Sequence, residues 1–222
     1  MNRTGVIYGI NGPVVYLKGD TGFKMSEMVL VGKEQLVGEV IALTKDTTTI
    51  QVFEETTGLK PGDTVIGSND ALSVTLGPGI IGNIFDGIER PLKDIKKQSG
   101  AFISRGVSVS SLDETKRYDV HMTIKENDTV FGGTIIAETR ETKSIIHKSM
   151  VPPNLSGTVT KVVKDGSYTI TDTLAELTLS DGTVYPLRLA QKWPIRRPRP
   201  TLTRYPSSMP LVTGQRIIDT LF

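Results

Sequence analysis

Carboxylates, two histidines and one glycine-rich turn are the side chains and backbone in this 222-residue sequence whose types could do chemistry. Glu54, Glu55 and Glu89 are carboxylates of the kind that serve as general bases. In this sequence they read as solvent-facing or interfacial structure. His121 alternates with Val120 and Met122 in a strand-like run, and His147 follows two isoleucines. Both read as strand-surface or core-edge residues. Cysteine is absent, which removes disulfides, thiolate metal ligands and a cysteine nucleophile. No pair of ligands has a recognised metal spacing. The sequence therefore predicts no catalytic residue, no cofactor-binding residue and no metal ligand in these 222 residues.

Phosphate binding by a nucleotide loop needs a glycine-rich backbone cradle running into Lys-Ser or Lys-Thr at a helix start. No GxxxxGK[ST] pattern occurs. Gly77-Pro78-Gly79 cannot replace it, because the downstream Lys-Thr/Ser pair is missing. Phosphoryl transfer would also require charge stabilisation and a placed water or acceptor. Arg196, Arg197 and Arg199 read as contacts or domain-orienting charges rather than catalytic arginines, and Trp193 as a packed anchor at a domain junction.

The elements that must position these groups are mostly strands. Val6-Ile7-Tyr8 and Val14-Val15-Tyr16-Leu17 flank the turn Asn11-Gly12-Pro13, and three more apolar runs follow, over 28–31, 36–43 and 48–53. So many short strands leave unsatisfied edges unless the sheet closes or meets another. A small antiparallel barrel over 1–70 is preferred, although periodicity fits a sandwich almost as well. After Gly77-Pro78-Gly79, the run Ile80-Ile81-Gly82-Asn83-Ile84-Phe85-Asp86 predicts a short helix, with Gly87 as its stop and Pro91 barring continuation. A second β-rich unit is expected over 111–185. Its strands are predicted at 118–122, 134–137, 144–147, 157–163 and 168–170, with tight hairpins at Asp165-Gly166 and Asp181-Gly182. Asn127-Asp128 and Gly132-Gly133 mark two further reversals. Five prolines between 194 and 210 predict an extended connector, after which 213–222 begins another element.

Charge is uneven beneath a formal net of +2. Residues 1–70 carry six Lys/Arg against nine Asp/Glu, whereas 186–209 carry six Lys/Arg and no acid. Such a band can attract nucleic acid, anionic lipid or an acidic protein surface. Its prolines favour a fixed connector, and one Trp and one Tyr make no regular stacking platform, so nucleic acid is not expected as a partner. No run of 18 apolar residues and no signal-peptide pattern occurs, so neither direct membrane insertion nor export by the usual signal is expected.

Five ordered stretches carry a resemblance: 52–62, LSVTLGPGIIGNIFDGIERPL at 72–92, FISRG at 102–106, QKWPIRRPRP at 191–200 and PLVTGQRIID at 210–219. Together they resemble the N-terminal portion of the catalytic A subunit of rotary V-type and archaeal-type ATPases and ATP synthases. The resemblance implies a mainly β chain: a collar barrel over 1–70, a linker with a short helix over 71–110, an inserted β-rich barrel or sandwich over 111–185, and over 186–222 a connector with the start of an α/β nucleotide-binding domain. It also implies B subunits in an alternating A3B3 hexamer, a central rotor stalk and a peripheral stalk as partners. ATP or ADP and Mg2+ are the expected ligands of the full-length family member, whose head lies on the cytoplasmic side, peripheral to the membrane. The phosphate loop, catalytic glutamate and metal-binding groups are expected beyond Phe222. On this reading Glu54, Glu55, Gly77, Pro78, Gly79, Arg90, Arg105, Trp193, Arg196, Arg197, Gly214 and Arg216 are structural or interface positions. The alternative is an independent, non-catalytic structural or protein-binding module.

Overall fold

The computed structural model describes residues 3–100, 102–201 and 203–221. Its first six strands are β1 (Thr4–Asn11), β2 (Val14–Lys18), β3 (Glu27–Val31), β4 (Leu36–Leu43), β5 (Thr47–Val52) and β6 (Thr64–Ala71). They close into an antiparallel barrel in the order β1-β2-β5-β4-β3-β6, with β6 pairing back onto β1. Closure removes the edges that an open sheet of this size would expose. Val15, Leu17, Val29, Val31, Leu36, Val40, Ile50 and Val65 point inward and are wholly buried. Each such side chain contributes about 1.5–3 kcal/mol relative to exposure. Gly38 is required where β4 crosses β5, since a Cβ there would stand 2.9 Å from the Gln51 carbonyl oxygen.

Strand β7 (Ser73–Leu76) leaves the barrel, and a single eight-residue helix, α1 (Leu92–Ser99), follows. The helix expected over 80–86 is not formed, and Pro91, expected only to stop that helix from continuing, stands at the N-cap of α1. Two forces explain the difference. Gly79 and Gly82 adopt positive φ, outside the helical region. The N–H groups of Gly79 and Ile81 bond a distant carboxylate, Glu141, in place of local carbonyls. Pro's fixed φ and missing N–H suit a helix start, and Gly100 closes α1 with its N–H on the Lys96 carbonyl. Ile95 anchors α1 and is buried.

The second unit is a pair of four-stranded sheets. One has the order β11-β10-β8-β13, from β8 (Tyr118–Met122), β10 (Ile135–Arg140), β11 (Ile146–Met150) and β13 (Gly166–Tyr168). The other has the order β15-β14-β12-β9, from β9 (Thr129–Phe131), β12 (Ser156–Val162), β14 (Ala175–Leu179) and β15 (Val184–Leu187). Ile136, Val159, Leu174 and Leu177 fill the space between them and are wholly buried. The hairpin expected at Asp165-Gly166 is overturned, because Gly166 opens β13 and pairs with Val120 across the other sheet. Asp181-Gly182 does turn a hairpin, linking β14 to β15. Strand β16 (Gln191–Pro194) then returns antiparallel to β7, matching Gln191 with Leu76 and Pro194 with Ser73. The described part of 203–221 is exposed throughout, and its only regular element is α2 (Arg216–Leu221).

Candidate functional site

Most of the sequence-predicted positions gather where the barrel, the linker and the second unit meet. On the barrel side the centre is Arg90. Its Nε donates to Asp86 Oδ2 at 2.7 Å, its Nη1 donates to the Val107 carbonyl at 3.0 Å, and the same Nη1 lies 3.4 Å from Glu54 Oε1. Glu54 Oε2 accepts from the Gly106 N–H at 3.0 Å, while Oε1 is buried without a hydrogen bond, so Arg90's charge is its main compensation. Burial pushes the Asp86 carboxyl up, but the Arg90 and Ile88 N–H groups and the Arg90 guanidinium outweigh it and hold the pKa below its ordinary value. Nearby, Arg105 pairs with Glu34 at 3.2 Å and donates to the Thr57 carbonyl. Glu55 only accepts a bond from the Thr57 hydroxyl at the surface.

On the other side, Gly77-Pro78-Gly79 forms a loop gripped by the second unit. Glu141, at the end of β10, accepts from Gly79 N–H at 2.7 Å and Ile81 N–H at 3.1 Å. Tyr118 donates its hydroxyl to the Pro78 carbonyl at 3.0 Å. A Cβ on Gly79 would stand 2.7 Å from that hydroxyl, and one on Gly77 would meet Ala190 at 2.8 Å. His147 Nδ1 lies 3.8 Å from Glu141 Oε2. Burial lowers the His147 pKa against the opposing pull of Glu141 and a hydrogen bond involving the Leu189 backbone. Glu89 accepts from Thr75 N–H, and burial raises its pKa despite that bond.

A third contact ties the connector to the barrel wall. Arg196 forks onto Glu39, Nε to Oε1 at 2.9 Å and Nη2 to Oε2 at 2.7 Å. Glu39 is wholly buried in β4, whereas the Arg196 side chain is 60% exposed. The bidentate geometry gives this pair directionality that a lysine could not. Trp193, 7% exposed, donates Nε1–H to the Arg197 carbonyl and carries Arg199 4.9 Å above its ring. Arg197 itself is exposed. Gly214 and Arg216 lie away from these contacts: Asp219 accepts from the Thr213 and Gly214 N–H groups, and Arg216 begins α2. His121 also stands apart, bonded to Asp165 at the surface.

Sequence reasoning missed Glu39, Glu141, Tyr118 and Asp86. Glu39 had a signal, a carboxylate in the apolar run Leu36 to Leu43; Glu141 had none, because its partners are backbone groups some 60 residues away. No group of three or more His, Cys, Asp or Glu among the described residues could hold a metal ion. The arrangement ties barrel, linker and second unit to one another, and among the described residues it brings no nucleophile, base and oxyanion donor together.

Comparison with known proteins agrees with this division. Residues 7–69 match the β-barrel domain of the ATP synthase alpha/beta family, and 109–196 match the ATP synthase alpha/beta subunit barrel-sandwich domain. The chain is 49% identical over 222 residues to the V-type ATP synthase alpha chain of Halothermothrix orenii, an alignment covering 100% of this chain and 38% of that protein. It matches the family of catalytic alpha chains of A-type and V-type ATP synthases. The corresponding A-type ATP synthase chain of Methanopyrus kandleri is 47% identical over 98% of this chain and 37% of its own length. That of Pyrococcus abyssi is 44% identical over 100% of this chain and 22% of its own length. The chain thus spans well under half the length of the relatives it matches. No helix among the described residues is long and apolar enough to cross a membrane.

Proposed function

We propose that this chain is the assembly part of the catalytic A subunit of a rotary V-type or A-type ATP synthase, which couples ATP synthesis or hydrolysis to H+ or Na+ movement. The observation that carries the reading is the match over the whole of this chain at 49% identity, with the two family models falling on the barrel and on the paired sheets. In this reading β1–β6 form a collar segment, the paired sheets form an insertion projecting from the head, and the contacts around Arg90, Glu141 and Arg196 fix one relative to the other. The partners are B subunits alternating in an A3B3 hexamer, the central rotor stalk and the peripheral stalk, on the cytoplasmic side of the membrane. The exposed apolar residues Leu211, Val212, Ile217 and Leu221 suit an arm that packs on another part of the protein. In this reading nucleotide and Mg2+ belong to another part of the protein, an assignment supported by the lack of a GxxxxGK[ST] phosphate loop in this sequence.

A chimera tests the reading. Replacing the matching segment of the Halothermothrix orenii alpha chain with these 222 residues is expected to give a hexamer that hydrolyses ATP. Failure to assemble, where the same swap from the Methanopyrus kandleri relative succeeds, would reject it. The 222-residue chain alone is expected to show no magnesium-dependent ATP turnover, and reproducible stoichiometric turnover would reject the non-catalytic assignment.

A further inference from the structure

The basic band of 186–209 is only partly consumed by the contacts described above. Arg196 is taken by Glu39, but Arg188 and Arg199 have no carboxylate within ion-pair distance among the described residues. Both line a cavity of about 90 Å³ between the second unit and the connector, together with His147, Lys148, Ser149 and Gln191. No acidic residue lines it. Lys148 pairs with Glu138 at 3.4 Å, and Glu141, 3.8 Å from His147, already accepts two backbone N–H bonds.

We infer that this cavity binds a free tetrahedral oxyanion of the phosphate class. That volume has room for a few water molecules, the scale of a small inorganic anion. It is well below the ~300 Å³ at which small-molecule pockets begin, so a nucleotide does not fit inside. Two planar guanidinium groups without carboxylate partners supply charged, directional donors, the chemistry that recognises tetrahedral oxyanions. Arg199 rests over the Trp193 ring and also borders a neighbouring cavity of about 490 Å³, so an anion drawing its guanidinium inward would lift it from the ring.

Trp193 is the only tryptophan, so its fluorescence reports displacement of Arg199 from the ring. Inorganic phosphate and sulfate would be titrated into the 222-residue chain at fixed ionic strength, with calorimetry alongside. Saturable binding of both is expected. Arg188→Gln and Arg199→Gln should each weaken it roughly tenfold, as loss of a charge-assisted hydrogen bond does. Arg204→Gln, in the same basic band but outside the cavity, should leave it unchanged. Absence of saturable binding would overturn the inference, as would equal weakening by Arg204→Gln, which indicates diffuse charge attraction. Adenosine monophosphate binding more tightly than phosphate would also overturn it, by locating the ligand outside a cavity this small.

Discussion

The linker is held from two sides by opposite chemistry. On the barrel side a half-buried arginine, Arg90, is caught between the carboxylates of Asp86 and Glu54. On the insertion side a buried carboxylate, Glu141, has no lysine or arginine partner among the described residues and is satisfied by the backbone of Ile81 and Gly79. The barrel seam, though backbone groups of Val107 and Gly106 also join it, depends above all on the Arg90 side chain. A charge held by amides depends on the path of the loop, whose side chains hardly matter. The two seams should therefore fail in different ways.

Arg90→Met gives the largest expected effect. It strands two carboxylates whose side chains are 8% and 16% exposed, a loss of about 3–5 kcal/mol. Thermal unfolding should show a Tm drop on the order of ten degrees. A drop of only a degree or two would mean that water already solvates the barrel seam. Gly79→Ala should break the insertion seam by about 1–3 kcal/mol, because φ is +105° and the new methyl meets the Tyr118 hydroxyl. Faster amide exchange at Gly79 and Ile81, with β1–β6 still protected, is the signature to seek; equal loosening of the barrel would merge the two seams into one unit.

Acid separates the seams further. Since the folded pKa of His147 lies below its ordinary 6.5, its contribution is full above that value and is lost as pH falls through the folded pKa. Asp86, also depressed, contributes fully above its ordinary 3.8 and loses that only at lower pH. Limited proteolysis across a pH series should thus cut the Gly77–Gly79 loop before the segment around Arg90, and His147→Gln should abolish that early step. The reverse order would contradict the comparison. The smallest effect belongs to Glu176→Gln, which breaks an exposed pair with Lys161 at 3.5 Å and should leave Tm unchanged within error.

The strands of the barrel were legible because Val14-Val15-Tyr16-Leu17 and its neighbours alternate between a buried and a wetter face. What stayed hidden was non-local. Ile80 to Asp86 has the apolar spacing of a helix, but Glu141 takes its N–H groups from some 60 residues away, and no local pattern encodes that competition. Asp165-Gly166 looks like a hairpin turn, yet the chain crosses there from one sheet to the other. The residues singled out at the junction included the Arg90–Glu54 pair but not Glu39 or Glu141, which act on groups distant in sequence.

The pairing of β7 with β16 has a mechanical consequence. The strand that leaves the barrel and the strand that leaves the insertion run side by side, matched over four residue pairs from Leu76–Gln191 to Val74–Trp193 and Ser73–Pro194. Ladder bonds lie across the strands, so a sideways tug on the insertion peels this stem open one rung at a time, starting at Leu76–Gln191. A pull along the strand axes loads every rung together. The stem is accordingly compliant to swinging and stiff to stretching, with Trp193 packed near its stiffer end and the forked Arg196–Glu39 pair beyond it as the stop that limits unzipping.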